Sequence, residues 1–335
     1  MRKLLLLLLA PLLLPSLPAL ALLFFYRAKK YRRRRGLQEY SVPSEHPLEL
    51  YFMQLSLCSS KVLFAFEAAG IDVHKKEIDI GHFGHFQQLE SSFLRINPNA
   101  CVPVVVHEGT PILESDEILK YLAGSLSPGS LIPSEQDPEA TRVMQHWLDR
   151  GGFVDMRGTM DAKAGAAVAA LSAPLFAVDH RYMGLATLVK ALFKHPQPQV
   201  VVLKIANWFL GGVKPPPKMI DEAFSTLTSC FADMETVLAK SGKWLSGDTF
   251  TLADVTWAAN FVRLDMLGVL QFFLKDREHT SAYWSRLQQY PGFDAAFVQP
   301  LTQSAEFLEL HRVSVEAKQK VARSGAAAAY GWTPA

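Results

Sequence analysis

The chain has 335 residues, 49% of them hydrophobic and 11% aromatic, enough to fill the cores of two domains. Its formal net charge of +2 hides an uneven distribution: residues 1–40 hold nine basic side chains and one acid, Glu39, which leaves 25 basic against 31 acidic residues in the rest. The body is therefore acidic and lacks the basic face of a nucleic-acid binder, and Cys58, Cys101 and Cys230 are too few and too scattered for a disulfide framework.

In chain order, residues 4–26 come first, uncharged and mostly Leu, Ala, Pro and Phe. A helix of about 23 residues crosses roughly 30 Å of hydrocarbon, and a membrane helix tolerates Pro11, Pro15 and Pro18 better than a soluble one. Seven cations follow within nine residues, from Arg27 to Arg35. Such a cluster stays on the cytoplasmic side and rests on anionic membrane lipid. The expectation is a transmembrane helix with its basic flank over residues 1–36, a single-pass N-terminal anchor in the endoplasmic reticulum or an organelle outer membrane, with a cytosolic body. The rival is a cleaved signal peptide, with Arg2 and Lys3, then Leu4 to Leu14, then Ala19-Leu20-Ala21. The apolar run continues to Tyr26, which argues against cleavage.

Residues 37–47, with Pro43 and Pro47, read as a linker. Leu48 to Leu55 predicts a strand, Ser56 to Ser59 a capping turn, and Lys61 to Ala69 a helix stopped by Gly70. Ile71 to Ile80 is a second strand candidate and Gln87 to Arg95 a helix. His82 and His85 between them lack the partners of a zinc site, so no metal is expected. Asn97-Pro98-Asn99 is turn chemistry. Val102 to His107 and Pro111 to Leu113 predict two more strands, and Ser115 to Ala123 a helix. Beyond Asp137-Pro138-Glu139, which opens a helix to about Gly151, the pattern is helical, with Val200 to Leu203 the one possible strand. The apolar stretches Ala164 to Val178 and Val200 to Leu210 are too short to span a membrane and predict buried or interfacial helix. Pro215 to Pro217 break the chain before a long amphipathic helix, Lys218 to Lys240. Thr251 and Asp254 form a capping pattern behind Phe250, and residues 313–335 read as a frayed tail.

Several motifs together resemble a known family. Ser56-Leu57-Cys58-Ser59-Ser60-Lys61-Val62 resembles the S-x-C-S-x-[RK]-V stretch of serine-type, zeta- and theta-like glutathione S-transferases. Val102-Pro103 before three valines looks like their cis-proline loop, and Glu114-Ser115 with Ile118 and Tyr121-Leu122 like their E-S-x-x-I-x-x-Y-L helix start. Trp244 to Val255, with Arg263-Leu264 and Leu267-Gly268, is similar to the branch named for ganglioside-induced differentiation-associated protein. The resemblance implies an α/β thioredoxin-like glutathione-binding domain over residues 48–126. An all-α domain over residues 127–312 follows, with an insertion at about 158–217, and homodimers are common in the family.

The same resemblance implies site residues. Ser56, at a helix N-terminus, is placed to donate a hydrogen bond to the glutathione thiolate and lower its pKa; by itself it reads equally as an N-cap serine. Cys58 is a competing nucleophile able to form mixed disulfides with glutathione, in a helical first turn that depresses a thiol pKa; lying two places after the position where cysteine-type members carry theirs, it reads rather as a packed or auxiliary cysteine. Val102 and Pro103 would pair with the cysteinyl backbone, and Glu114 and Ser115 would hold the γ-glutamyl end. Where the family often has Gln or Lys for the glycyl end, this chain has Cys101, with Lys61 or Asn99 as substitutes. The implied function is a membrane-anchored transferase joining glutathione, as co-substrate, to hydrophobic electrophiles, or reducing peroxides with it. The alternatives are a weakly active binding or organelle-shaping protein, and a lyase or etherase on the same fold.

Overall fold

The computed structural model describes residues 26, 31–81, 85–153, 163–172, 184–198, 201–202, 205 and 216–299. Its elements in chain order are β1 (Gly36–Leu37), β2 (Leu48–Phe52), α1 (Leu57–Ala68), β3 (His74–Glu77), α2 (Ser91–Ile96), β4 (Val104–His107), β5 (Thr110–Leu113) and α3 (Ser115–Tyr121). There follow α4 (Pro138–Gly151), α5 (Ala164–Leu171), α6 (Leu185–Lys194), α7 (Pro217–Ser241), α8 (Leu252–Met266), α9 (Leu270–Leu274) and α10 (Glu278–Gln288). The chain divides into two compact units. One comprises Met1–Arg35, Ile78–Cys101 and Phe176–Val213; the other comprises Gly36–Glu77, Val102–Leu175 and Lys214–Ala335.

The larger unit holds a sheet of order β1-β5-β4-β2-β3. β2 and β3 run parallel across the α1 crossover, and β4 pairs antiparallel with both β2 and β5. This is the thioredoxin-like order expected from the sequence. The branched run Val104-Val105-Val106 is fully buried, as a central strand requires. Gly36 and Leu37, expected at the boundary of the basic flank and the linker, instead pair with Leu113 and Ile112: the outer edge of β5 offers unpaired backbone groups, and the incoming chain takes them.

Helices cover this sheet. Phe64 of α1 is fully buried and meets the edges of Phe250, Tyr290 and Phe293 at centroid distances of 5.8, 6.2 and 5.8 Å. α8 forms the helical core. Its Trp257 donates to the Trp147 carbonyl at 2.9 Å and its Asn260 to the Gly151 carbonyl at 2.9 Å. Both contacts fall at the C-terminal end of α4, and the Gly151 carbonyl is one that the helix itself leaves without a partner. α5, Ala- and Gly-rich, is a buried helix, as its composition predicts. A Cβ on Gly165 would stand 2.4 Å from the Gly152 carbonyl oxygen, so only glycine permits this approach.

At the N-terminus of α8, Asp254 is fully buried and accepts four hydrogen bonds. These come from the N–H groups of Leu245 (3.1 Å) and Thr251 (2.8 Å) and the hydroxyls of Thr251 (2.9 Å) and Tyr283 (2.9 Å). The capping pattern expected there is present. Burial nonetheless pushes the Asp254 carboxyl up to about 6.

The smaller unit clusters Leu89, Ala100, Ala191 and Val201. Buried Asn99 ties its segments together, accepting from the Tyr31 hydroxyl (2.9 Å) and the Arg34 N–H (3.0 Å) and donating to the Arg34 carbonyl (2.8 Å). The predicted helix Gln87 to Arg95 is divided into a 3₁₀ turn, Gln87–Leu89, and α2. Val201 and Val202, in the possible strand, are helical; β-branched residues follow tertiary context here rather than their propensity.

The membrane expectation is corrected. No helix among the described residues is long and apolar enough to cross a membrane, whereas a span needs about 20 apolar residues in one helix. Residues 4–25, on which the transmembrane helix, the lipid contact and the endoplasmic reticulum or outer-membrane localisation rested, lie outside the described residues. So do His82, half of the insertion at 158–217, and the tail at 313–335.

Candidate active site

Strand register brings three segments together at one end of the sheet. Tyr51 pairs with Val104, and Val104 with Leu113. The exit of β2 towards Ser56, the entry of β4 from Val102-Pro103 and the exit of β5 into Glu114 therefore share that end. The Val102-Pro103 peptide is cis. Pairing of β4 with β2 begins at Val104, so the Val102 backbone groups take no part in the ladder.

Ser56 is the N-cap of α1, accepting from the Ser59 N–H at 3.3 Å. Its own N–H donates to the Met53 carbonyl (2.9 Å), and its carbonyl accepts from the Ser60 N–H (2.9 Å). A hydroxyl has one hydrogen and two acceptor sites, so capping occupies an acceptor site and leaves the hydrogen for an anion. The capping and catalytic readings of this serine are thus compatible. The first turn of α1 carries no acidic residue, which leaves its positive dipole end uncompensated.

Cys58 is half-buried, in the next turn position. Burial pushes its thiol above the ordinary value, against the pull of Lys61 and a hydrogen bond from Ser115. The depressed pKa expected of a first-turn cysteine is therefore not found, because desolvation outweighs the helix end. Lys61 is buried, and its ammonium is committed to Asp116 in the first turn of α3. Asn99 is likewise committed to Tyr31 and Arg34. Neither proposed substitute for a glycyl-end contact is spare. Cys101 lies beside Arg33, whose guanidinium approaches its sulfur at 4.0 Å, and Asn97, which donates to its carbonyl at 2.7 Å.

Glu114 caps α3 with φ 76° and ψ 130°, a left-handed conformation that costs a non-glycine residue about 1–3 kcal/mol. Such strain is held where the surroundings impose it, and here it turns the chain from β5 into α3. Ser115 follows, buried, with its hydroxyl on the Cys58 sulfur. Two small cavities flank Leu57. One of about 20 Å³ touches Leu55, Ser60, Arg263 and Phe297, and one of about 10 Å³ touches Cys58, Phe153, Thr256 and Asn260. The buried Thr256 hydroxyl has no partner among the described residues. No cluster of three His, Cys, Asp or Glu side chains among the described residues is placed to hold a metal.

Residues 46–124 match the glutathione S-transferase N-terminal domain, and residues 217–294 the glutathione S-transferase C-terminal domain. The chain belongs to the glutathione S-transferase family. It is 24% identical over 255 residues to a tetrachloro-p-hydroquinone reductive dehalogenase of Sphingobium chlorophenolicum, covering 76% of this chain and 96% of that protein. It is 25% identical over 294 residues to mouse (Mus musculus) ganglioside-induced differentiation-associated protein 1-like 1, covering 76% of each. Among solved structures it resembles a beta-etherase from Sphingobium sp. strain SYK-6, with a TM-score of 0.60 and 22% identity, over 75% of this chain and 99% of that one.

Two residues of this transferase were not legible as site residues. Asp116, in the first turn of α3, holds Lys61. Arg263 reads as part of a family motif, yet it is 5% exposed and donates to the Leu55 carbonyl beside Ser56 and, at 3.3 Å, to the Ser172 hydroxyl. The available signal was an arginine within the apolar run Phe261-Val262-Arg263-Leu264, where an unpaired charge is costly.

Proposed function

We propose that this chain joins glutathione to hydrophobic electrophiles. The carrying observation is the Ser56 hydroxyl, at the positive end of α1, with its hydrogen left over after capping. It donates that hydrogen to the glutathione sulfur and favours the thiolate; the thiol proton goes to water. The thiolate then forms a carbon–sulfur bond, and the leaving group departs with its electron pair. With a hydroperoxide, two glutathiones supply the two electrons, giving an alcohol, water and glutathione disulfide. Val102 next to Pro103 pairs with the cysteinyl backbone, while Glu114 takes the γ-glutamyl ammonium and Ser115 its carboxylate. Leu57, Phe153 and the unpaired Thr256 hydroxyl border the place of the hydrophobic substrate. Cys58, its thiol held protonated, packs beside Ser115 rather than attacking. Residues 48–126 act as the glutathione-binding domain and 127–312 as the helical domain, in a homodimer.

The test is retention of the full chain on immobilised glutathione and turnover of 1-chloro-2,4-dinitrobenzene. Ser56→Ala should abolish most turnover, and Glu114→Ala most retention. Turnover untouched by Ser56→Ala sinks the mechanism. A second reading, a family member that binds partners and catalyses little, is favoured by one observation: Lys61 and Asn99 are both committed elsewhere, and Cys101 replaces the usual Gln or Lys. No heat of binding at millimolar glutathione would select it.

A further inference from the structure

Arg263 is buried in α8 and donates both to the Leu55 carbonyl and to the Ser172 hydroxyl, whose own hydrogen goes to the Val168 carbonyl at 2.7 Å. No carboxylate pairs with it among the described residues. Burying a charge costs several kcal/mol unless a counter-charge offsets it, and an apolar residue would fill the same space without that cost. The cation is nonetheless retained, under the turn that places Ser56. It borders the cavity of about 20 Å³, room for a single water. The other charges around this turn are Lys61 and Asp116, which neutralise each other, and Glu114 at the head of α3. Cys58 is the remaining ionisable group, and it is held as a neutral thiol.

Resting on the transferase reading, we infer that Arg263 is the counter-charge of the glutathione thiolate, a positioning residue that lowers the thiol pKa through the Leu55–Ser56 turn. Arg263, with no carboxylate partner among the described residues, lies beside the positive end of α1, and a thiolate arriving at Ser56 supplies the negative charge. Burial lowers Arg263 to about 10, so the guanidinium stays charged through the range in which glutathione ionises.

The experiment titrates full-length protein with glutathione, following the ultraviolet absorbance of the thiolate and the pH profile of kcat/KM with 1-chloro-2,4-dinitrobenzene. Arg263→Gln keeps a donor to the Leu55 carbonyl without the charge; Arg263→Lys keeps the charge. The expected result is an apparent thiol pKa about one unit higher in Arg263→Gln, hence about tenfold lower kcat/KM below that pKa and recovery above it. In Arg263→Lys the profile stays near that of the unaltered chain. Equal shifts in both variants, or no shift in a folded Arg263→Gln, overturn the inference. If Arg263→Gln does not fold, a thiol pKa raised in Arg263→Lys overturns it and an unchanged one supports it. Absence of glutathione binding by the unaltered chain overturns the transferase reading and this inference together, and is seen before any variant is made.

Discussion

The two ends of α8 bury opposite charges and treat them differently. At the N-terminus, Asp254 gathers four donors, one of them from α10, and is saturated. In the last turn, Arg263 holds one backbone carbonyl and one hydroxyl and has no counter-charge among the described residues. Both signs suit the helix dipole, so the dipole does not explain the difference. A saturated charge specifies packing; an unsaturated one beside a reactive turn is poised for a ligand. Burial shifts both towards neutrality, Asp254 up to about 6 and Arg263 down to about 10.

The comparison breaks most readily at Asp254. Asp254→Ala strands the Leu245, Thr251 and Tyr283 donors and should cost about 4 kcal/mol in urea unfolding. The thiol pKa of glutathione bound to the surviving folded fraction should not move. A moved pKa would end the division between a structural and a functional end. Next in size, Ser56→Ala should lower kcat/KM about 100-fold, about 2.7 kcal/mol, and stability by only about 1 kcal/mol for the lost cap. A loss of stability without loss of turnover would return Ser56 to an N-cap alone.

Comparable in size is a pH effect. With Asp254 raised to about 6 when folded, the folded chain holds a proton that an ordinary aspartate releases near pH ~4. The contribution of this group to stability is therefore full below about pH 4, falls as pH rises to about 6, and is level above. Asp254→Asn should flatten that slope in thermal melts between those values. A slope unchanged by the substitution assigns it to other groups. The smallest effect concerns coupling. Asp254 and Arg263 are nine positions apart on one helix, about 13 Å, and their stability changes should add within about 0.5 kcal/mol in a double-mutant cycle. A larger coupling makes the two ends one network.

Much of the fold was legible because it is locally coded. The branched run at Val104 to Val106, the Pro138 and Pro217 helix starts and the Thr251–Asp254 cap each announce an element within a few residues. For the site, resemblance named Ser56, Val102-Pro103 and Glu114-Ser115, and strand register brings those segments to one end of the sheet. What stayed hidden depends on partners far along the chain: Lys61 with Asp116, Asn99 with Tyr31, Arg263 with Leu55. The depressed Cys58 thiol expected of a first helical turn is absent for a related reason. A helix N-terminus is written in the local sequence, whereas the desolvation that outweighs it comes from residues brought together only on folding. The membrane anchor was inferred from the apolarity of residues 4–26, and none of the described helices bears it out.

The protonated state of Cys58 has a consequence for an enzyme that handles electrophiles. Alkylating agents consume thiolates, and a protein whose own cysteine ionised beside the reacting centre would inactivate itself with each stray encounter. Here burial raises both the Cys58 and Cys230 thiols, while in the proposed mechanism the free peptide is the sulfur that ionises. The protein spends a replaceable nucleophile and preserves the one it cannot replace.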